Sequence, residues 1–347
     1  MDSAYKKLSR KHRGIWGALV VLSLVCFVAV GLKAEIVKKA QVGMRFLENP
    51  ISAEAIGRGG LGLVMFQNSN SVFWNPAGLG WIDRQVDFNA NFTRGIADIN
   101  HGAFAGAFNL GRGGVIAIDA LIMDYGEFNG TRRADNELGY ALTDVFTPKG
   151  YAVGLSYGDR VSDRFSYGVR LKYAMQDLGD AWITTDENGL DDPTTKHYSA
   201  SVPAVDIGAI YDFEFHNLRF GAAVQNFSQQ ITYAKEKVSL PFAVSFGFTI
   251  DPLSVFLPTQ DVHSLLLGFE SQHPRDFKEK IKVGAEYSFR DMFVVRGGYM
   301  GNYDERGPTF GFGIKQDLQG LGFRFDYAYQ SFGILNSVHI LSVGVAR

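Results

Sequence analysis

The sequence contains one cysteine and, after residue 34, no long hydrophobic run. Cys26 lies within an uncharged apolar stretch at residues 15–30, so the rest of the chain has no cysteine with which to form a disulfide. No later stretch approaches the run of about 18 apolar residues that marks a transmembrane helix. For residues 35–347, these two absences exclude a disulfide scaffold and a helical membrane protein.

The residues that carry catalytic or metal chemistry are also missing. The seven histidines are scattered without metal-ligand spacing, and no Gly-x-Ser-x-Gly elbow or comparable nucleophile arrangement occurs. The acidic stretch at residues 186–192 lacks the spacing of an EF-hand loop, so a solvated loop is preferred over a Ca²⁺ site. The sequence predicts no catalytic site, no metal site and no cofactor, which argues against an enzyme.

Residues 1–34 have the layout of a secretory signal peptide. Five basic residues precede the apolar stretch, and Ala34 is a small residue before the expected cleavage point at Glu35. An uncleaved anchor helix is the alternative, but the run is shorter than the roughly 20 apolar residues of a span. Leu32 makes the cleavage site imperfect. We therefore expect an exported protein.

The exported part has no excess of positive charge. Residues 35–347 keep 28 Lys and Arg against 35 Asp and Glu, a net charge of −7. A surface of this sign does not attract phosphate backbones, so no nucleic-acid partner is expected.

Glycine and aromatic residues are abundant instead. The chain has 40 Gly, 28 Phe and 15 Tyr but only 10 Pro, and its mean hydropathy is −0.03. Glycine and aromatic residues in short alternating strands are typical of a membrane barrel. The wall of such a barrel is apolar on one face and polar on the other, which keeps the mean hydropathy near zero.

Alternation with a period of two residues dominates the chain from about residue 86 to the end. In one segment, Phe165, Tyr167 and Val169 fall on one face, while Ser166 and Arg170 fall on the other. Residues 281–289 and 321–329 repeat the pattern. A soluble sandwich also has one-sided strands, but its exposed face would be richer in Lys and Glu.

Fourteen segments fit this pattern and the length of a tilted membrane strand. They are residues 86–94, 99–110, 113–124, 150–158, 163–175, 200–213, 216–226, 241–251, 262–272, 278–290, 292–301, 308–317, 321–330 and 337–346. The links alternate between short turns and longer loops, with the longest at about 125–149 and 176–199. Two links fit less well, because 252–261 is long for a periplasmic turn and 273–277 is short for an outer loop.

The fold class that follows is all-β: a transmembrane antiparallel β-barrel of about 14 strands in the bacterial outer membrane, with both termini periplasmic. A ring of this size encloses more space than its own side chains fill. Residues 35–85 break the alternation and are the expected plug. The predicted organisation is a signal peptide at 1–34, a plug segment at 35–85 and the barrel at 86–347.

Two motifs stand out in the plug segment. The first is Gly57, Arg58, Gly59 and Gly60, whose glycines permit backbone angles that other residues avoid. The second has a turn at its Asn-Pro step and comprises Trp74, Asn75, Pro76, Ala77, Gly78 and Leu79. The glycines do not form a phosphate loop, because no strand precedes them and no Lys-Ser/Thr pair follows.

These motifs, about 40 residues together, resemble the PorV/PorQ family of outer-membrane proteins within the superfamily of FadL-type barrels. The Asn-Pro-Ala triplet is shared with FadL-type transporters. The resemblance implies a part in type IX secretion, in which the barrel receives C-terminal signal domains of exported proteins and passes them to the surface-attachment machinery. The FadL side implies uptake of fatty acids or other hydrophobic compounds as the alternative. One departure is the C-terminal Arg347, where such barrels commonly end in an aromatic residue.

The two longest loops are the expected contact surface for cargo, since they mix aromatic with acidic residues. The aromatic residues concerned are Tyr125, Phe128, Tyr140, Phe146, Trp182 and Tyr198. Ordinary capping loops are the alternative interpretation. The expected partners are outer-membrane lipid, secreted proteins with C-terminal sorting domains and the surface-attachment machinery.

Two further features concern the lumen. Residues 115–123 are apolar on both faces, which favours packing against the plug over a channel for hydrophobic compounds. The lumen charges are interpreted as wall-to-plug ion pairs and solvated lining; they are Arg170, Lys172, Lys282, Glu286, Arg324 and Asp326.

Overall fold

The computed structural model describes residues 42–49, 51–183, 194–233, 236–256 and 262–347. The predicted signal peptide and the acidic stretch at 186–192 lie outside these residues, so both stay predictions. Within the described ranges, no helix is long and apolar enough to cross a membrane.

The described residues form eighteen strands, numbered here in chain order. They are β1 Val86–Arg94, β2 Asn100–Asn109, β3 Val115–Asp124, β4 Phe128–Arg133, β5 Tyr140–Phe146, β6 Lys149–Ser162, β7 Phe165–Ile183, β8 Thr194–Asp212, β9 Arg219–Ser228, β10 Ile231–Tyr233, β11 Glu236–Val238, β12 Ala243–Ile250, β13 His263–Pro274, β14 Lys280–Phe289, β15 Phe293–Gly301, β16 Pro308–Leu318, β17 Leu321–Ser331 and β18 Ser337–Ala346.

The helices are all short. Two are α-helical, Ala53–Gly57 and Leu253–Phe256. The others are 3₁₀ turns: Arg45–Glu48, Ser69–Phe73, Pro76–Trp81, Ile96–Asp98, Gly111–Gly113 and Gly333–Leu335.

Fourteen of the strands close into one antiparallel barrel, and all fourteen predicted segments coincide with them. Each strand pairs with the next barrel strand along the chain, and β18 pairs with β1 from Asp87↔Ala346 to Arg94↔His339. Closure gives every strand two neighbours, as a hydrocarbon environment requires. The strands β4–β5 and β10–β11 form two separate hairpins.

The barrel has two unlike ends. The short-turn end carries the links 110–114, 163–164, 213–218, 251–262, 290–292 and 319–320, and the long-loop end carries the links 95–99, 125–148, 184–193, 229–242, 275–279, 302–307 and 332–336. The link that seemed too long for a turn contains the helix Leu253–Phe256. The Asp251 side chain accepts hydrogen bonds from the backbone N–H groups of Leu253 and Ser254.

The two longest predicted loops contain more strand than expected. Residues 125–148 include the hairpin β4–β5, and β7 and β8 continue beyond the other barrel strands to Ile183 and from Thr194. The extensions of β7 and β8 are exposed or half-buried on both faces, and the hairpin β4–β5 carries its apolar side chains without a regular period. Both therefore lack the one-sided alternation by which membrane strands are recognised. The hairpin β10–β11 is too short for any periodicity to reveal.

The wall is apolar outside and polar inside. On β1, Phe88 and Phe92 are exposed on the outer face, while Asp87, Asn89 and Asn91 are buried towards the lumen. Most other barrel strands alternate in the same way, whereas β2 and β3 also place apolar residues on the lumen face. An apolar outer band of this kind faces lipid.

Candidate functional site

Residues 51–82 lie inside the ring of strands and are almost completely buried. We call this stretch the lumenal segment. Its one-turn helix, Ala53–Gly57, packs on β15 to β18, and its last 3₁₀ turn, Pro76–Trp81, packs on β6 to β8. The segment that breaks the strand pattern therefore fills the lumen where it packs on β15 to β18 and on β6 to β8.

The first motif needs glycine because its backbone is left-handed and touches the wall. Gly59 and Gly60 have φ values of 78° and 77°, in the region that side chains other than glycine rarely adopt. A β-carbon on Gly59 would lie 2.5 Å from the carbonyl oxygen of Val283. The two backbones are in direct contact.

The wall supplies matching glycines at this contact. A β-carbon on Gly311 would lie 2.9 Å from the Cα of Gly57, and β-carbons on Gly284 and Gly298 would overlap the backbone of Arg58 and Gly59. Three neighbouring strands, β14 to β16, thus provide a shallow groove without side chains. Their glycines looked like ordinary strand residues in the sequence, since nothing local shows what they face.

Arg58 fixes the first motif electrostatically. Its side chain is 1% exposed, and its Nη1 lies 2.8 Å from Glu286 on β14 and 3.2 Å from Glu54. Its Nε donates to the carbonyl of Leu61 at 2.9 Å, and its guanidinium lies 4.9 Å from the centre of the Phe66 ring. This arginine joins the lumenal segment to the wall and to itself.

The ion-pair network continues along the wall. Arg296 lies 2.7 Å from Glu286 and 2.6 Å from Asp326, and all three side chains are buried. Desolvated charges are tolerated only when each is paired and hydrogen-bonded. Docking of the lumenal segment and charge compensation of the wall therefore depend on the same set of residues.

Wall side chains also bind the backbone of the lumenal segment. Glu270 accepts from the N–H groups of Gly62 and Leu63 at 2.7 and 2.6 Å, and Asp87 accepts from the N–H of Ser69 at 2.9 Å. Lys282 and Arg324 hold these two acids at 3.7 and 2.7 Å. Among the lumen charges predicted to pair with the plug, Glu286 contacts it directly. Lys282 and Arg324 act indirectly, because each pairs with an acid that binds the backbone of the lumenal segment.

Arg170 and Lys172 behave differently, since they pair within the wall. Arg170 pairs with Asp119 and, at 3.2 Å, with Asp206, and Lys172 lies 2.7 Å from Asp206. The Arg170 guanidinium is 5.2 Å from the centre of the Phe73 ring. This cluster contacts the lumenal segment through the face of the Phe73 ring.

The second motif is a capped turn against another set of wall glycines. Asn75 is extended at φ −151°, and its side chain accepts from the N–H of Ala77 at 3.1 Å and donates to the carbonyl of Leu63 at 2.9 Å. A β-carbon on Gly158 would lie 2.7 Å from the carbonyl oxygen of Pro76. The Asn-Pro step thus closes the turn and joins the motif to an earlier part of the lumenal segment, at Leu63.

Two neighbouring strands repeat this arrangement. β-Carbons on Gly168 and Gly208 would overlap Pro76 and the Asn75 side chain, respectively. In the rest of the motif, Trp74 contacts Phe66 at 4.9 Å between ring centres, and Gly78 and Leu79 are buried.

Trp81, which the sequence did not single out, fixes the lumenal segment at the short-turn end. Its indole N–H donates to Ser166 at 2.7 Å, and its ring lies between Arg160 and Arg219, at 5.0 and 4.4 Å from its centre. The sequence signals Trp81 only by its position, two residues after the end of the second motif. Each of these contacts comes from a different strand end.

At the long-loop end, residues 42–49 and the hairpin β10–β11 form a cap over the lumen. The N–H of Gly43 donates to Ser239 at 2.9 Å, and Ile231 is buried. Tyr233 donates to Gln176 at 2.6 Å. Burial raises the pKa of Tyr233 to about 12, with a further contribution from the nearby Tyr125.

The position of the cap bears on the chain termini. Arg347 pairs with Val86 at the short-turn end, whereas Val42 bridges to Ser239 at the long-loop end. The N-terminal part of the described chain therefore runs through the lumen from one end to the other. A periplasmic N-terminus stays a prediction, since residues before 42 lie outside the described ranges.

Below the cap is a small polar cavity of about 70 Å³. That volume holds only a few water molecules. It lies between the cap, the lumenal segment and the wall, and its polar lining includes Glu48, Gln225, Gln272, Lys280, Lys282 and Arg306. In the part of the chain that the structure describes, no three His, Cys, Asp or Glu side chains are grouped to hold a metal.

Apolar lumen residues pack on the lumenal segment instead of lining an open space. Val115, Ala117, Leu121 and Met123 on β3 are buried in one cluster with residues such as Phe73. Plug packing, the favoured interpretation for this strand, agrees with that arrangement.

The predicted loop-contact residues fall into two places. Tyr125 turns inward to the cap, where it accepts from the Gln176 amide at 3.4 Å, and burial raises its pKa. Phe128 and Phe146 stack at 5.8 Å on the hairpin β4–β5, where Tyr140 is 44% exposed.

The other two lie on the extension of β7 and β8. Trp182 is 37% exposed, and Lys196 lies 5.1 Å from the centre of the Tyr198 ring. Back on the hairpin β4–β5, the most exposed apolar side chains are Leu138, Leu142 and Val145, for which the sequence has no motif. The available signal was that these apolar residues lie in a loop that the sequence predicts to face water.

Comparison with known proteins gives a family and a fold. Residues 143–345, more than half of the chain, match the family described as type IX secretion system membrane protein PorP/SprF. A search of curated proteins finds no match. The matched family has the type IX setting that the sequence implied but is PorP/SprF, so the PorV/PorQ resemblance itself is not confirmed.

Solved structures share the fold. The toluene transporter TbuX of Ralstonia pickettii is 14% identical, with 85% of this chain and 97% of that chain covered and a TM-score of 0.54. The Pseudomonas putida toluene transporter TodX is 9% identical, with 89% and 98% covered and a TM-score of 0.56. A Pseudomonas aeruginosa FadL homologue is 12% identical, with 86% and 98% covered and a TM-score of 0.52. At these identities the likeness concerns the fold alone.

Proposed function

Because this chain belongs to the PorP/SprF family of type IX secretion system membrane proteins, we propose that it is a partner-binding component of that system, not a conducting channel. In this proposal, the long-loop end receives the C-terminal signal domains of exported proteins and presents them to the surface-attachment machinery. This is the role that the PorV/PorQ resemblance implies. The observation that carries the proposal is a filled lumen beneath a long-loop end whose hairpin β4–β5 exposes apolar side chains.

The filled lumen supports binding over conduction. The lumenal segment is held by two glycine grooves, by Arg58 and by hydrogen bonds that its backbone N–H groups donate to Glu270 and Asp87. Moving it aside would expose buried charges on both partners, which is costly. A barrel blocked in this way is suited to act through its outer surface.

The long-loop end supplies that surface. Leu138 and Leu142 on or beside the hairpin β4–β5 are 72% and 71% exposed, and Val145 is 55% exposed. Several exposed apolar side chains on one hairpin are typical of a protein-interaction site. In bacterial barrels the periplasmic turns are short and the outer loops longer, so we assign the long-loop end to the cell exterior and the C-terminus to the periplasm.

Uptake of hydrophobic compounds is the second proposal, favoured by the barrel fold shared with TbuX and TodX and by the apolar lumen face of β3. Against it, that face is covered by the lumenal segment, and the cavity under the cap is small and lined by charged and amide groups. A hydrophobic compound needs the reverse, an apolar cavity, of about 150 Å³ for a single aromatic ring and several hundred Å³ for a larger ligand.

The test is a tagged pull-down from detergent-solubilised outer membranes, with mass spectrometry of the proteins that co-purify. We expect secreted proteins that share one C-terminal domain. Replacing residues 127–147 with a short glycine linker should lower their recovery at least tenfold. Alanine at Asp304 and Glu305, two exposed acidic residues at the same end, is the matched control and should leave recovery unchanged. Recovery of the barrel alone with bound lipid or hydrocarbon would favour uptake.

A further inference from the structure

Strands β7 and β8 extend past their neighbours as a two-stranded ribbon. Pairing of β7 with β6 ends at Lys149↔Asp177, and pairing of β8 with β9 ends at Ala204↔Ser228. The β7–β8 pairing continues to Ile183↔Thr194. We call residues 177–183 and 194–199 the ribbon. Its β8 side has a length of roughly 20 Å at about 3.3 Å per residue.

The outer edge of the ribbon on β8 has no partner strand among the described residues. The direction of its N–H groups follows from the base of the strand. The N–H of Asp212 donates to Arg164, which precedes β7, and the N–H of Phe213 donates to Leu218, which precedes β9. Even-numbered residues of β8 therefore face β7, and odd-numbered residues face the other side.

This alternation holds up to the ribbon. The two register shifts along β8 place the additional residue on β7 and on β9, so β8 itself is regular. The backbone N–H and C=O groups of Thr195, His197 and Ser199 consequently point to the open edge. All three residues are exposed.

We propose that this open edge pairs with an extended strand of an exported protein, by β-strand addition. The inference rests on the proposed function and specifies how the cargo is held. A row of unpaired main-chain donors and acceptors is matched only by another β-strand. An isolated two-stranded ribbon is marginally stable in water, so a third strand would stabilise it.

The features that usually prevent such pairing leave these six residues open. Proline, bulges and lysine commonly block edges, but Pro193 and Pro203 lie on either side of residues 194–199. The register shift between Asp177 and Gly179 places its additional residue on β7, away from the open edge. The one lysine, Lys196, lies against the ring of Tyr198 on its own strand. The ribbon also adjoins the proposed docking surface, because Phe146 of β5 lies within contact distance of Gly179.

The test separates the backbone from the side chains. Proline at Thr195 or Ser199 removes one outward N–H and leaves the even-numbered groups that pair with β7. Alanine at the same positions removes the side chain and keeps the N–H. Using a purified signal domain from a secreted protein of the same host, we expect at least tenfold weaker binding for each proline variant and less than twofold change for each alanine variant.

Amide exchange on the wild-type protein gives a second measurement that needs no variant. Addition of the signal domain should protect the amides of Thr195, His197 and Ser199, while those of Lys196 and Tyr198 stay as they were. This readout decides the matter even if a proline variant does not fold.

The outcomes distinguish the two proposals. If wild-type protein binds no signal domain, the proposed function is overturned and this inference with it. If it binds and the proline variants bind equally well, only the inference is overturned. If the proline variants abolish a dimer of this chain in detergent and keep domain binding, the edge serves a second copy, and the inference is again overturned.

Discussion

Loss of the Arg58 side chain should release the lumenal segment from the wall. An Arg58→Met variant keeps the length and packing of the side chain but leaves the buried carboxylates of Glu54 and Glu286 without their shared cation. Removing one partner of a buried ion pair costs about 3–5 kcal/mol. Because Arg296 still lies 2.7 Å from Glu286, we take the lower end, about 3 kcal/mol, which corresponds to a roughly 100-fold shift towards the undocked state.

The absence of cysteine from residues 35–347 makes this shift measurable. Ser71 is buried in the lumenal segment at 1% exposure, so a Ser71→Cys protein should react with a maleimide only when the segment leaves the lumen. Adding Arg58→Met should raise the labelling rate about 100-fold, and planar-bilayer conductance should rise with it. The barrel itself should stay folded, because its strand pairing is unchanged.

The matched control is Arg84→Met. Arg84 pairs with Asp317 at 2.6 Å, but both side chains are about half exposed, and such pairs contribute little because water and salt screen them. This variant should label at the parent rate. Equal labelling of the Arg58→Met and Arg84→Met proteins would refute the reasoning, since it would mean that the glycine grooves and the hydrogen bonds to Glu270 and Asp87 hold the segment without Arg58.

Three further predictions concern the glycine grooves, the short-turn end of the lumenal segment and the cap. Gly298→Ala should undock the lumenal segment in the same labelling assay, because its β-carbon would overlap the backbone of Gly59, whereas the adjacent Gly297→Ala, with nothing within 4 Å, should behave as the parent. Trp81→Ala should lower the free energy of unfolding by about 3 kcal/mol in urea titration, from lost packing and a lost hydrogen bond; a change too small to measure would contradict the role given to its two arginine contacts. The cap should loosen as pH rises between 10 and about 12, because the raised pKa of Tyr233 means that the docked state holds its proton more tightly than the undocked state. Amide exchange at Ile231, taken relative to the intrinsic exchange rate at each pH, should show this change. Tyr233→Phe should reduce the loosening, and the remainder is due to Tyr125, whose pKa is also raised.

The barrel was predictable because its signal is local and repeated. Each membrane strand must place apolar side chains outwards and polar ones inwards, so residues such as 165–173 reveal their strand without reference to any partner. Chain order then gives the neighbours, since antiparallel strands joined by short turns pair in sequence. The two motifs of the lumenal segment were also visible, because a Gly-Gly pair and an Asn-Pro turn interrupt that repeat.

The binding features at the long-loop end were only partly predictable. The aromatic residues of the two loops were recognised, but Tyr125 turns inward while Leu138 and Leu142 stand exposed. Loop composition does not fix side-chain direction. The ribbon lies in a stretch that the sequence predicts as a loop, because strands with water on both faces need no apolar alternation.

By itself, the sequence determined the fold class, the number of barrel strands, their order and the presence of a segment that does not belong to the wall. Those properties depend on residues next to each other along the chain. Only the tertiary structure decided which wall residues receive that segment. Gly284 and Gly298 are uninformative alone and acquire a role only when the closed ring places a backbone opposite them. Arg58 and Glu286 are remote in sequence, and the fold brings their charges together. The sequence carries periodicity, whereas complementarity between two surfaces exists only once both are folded.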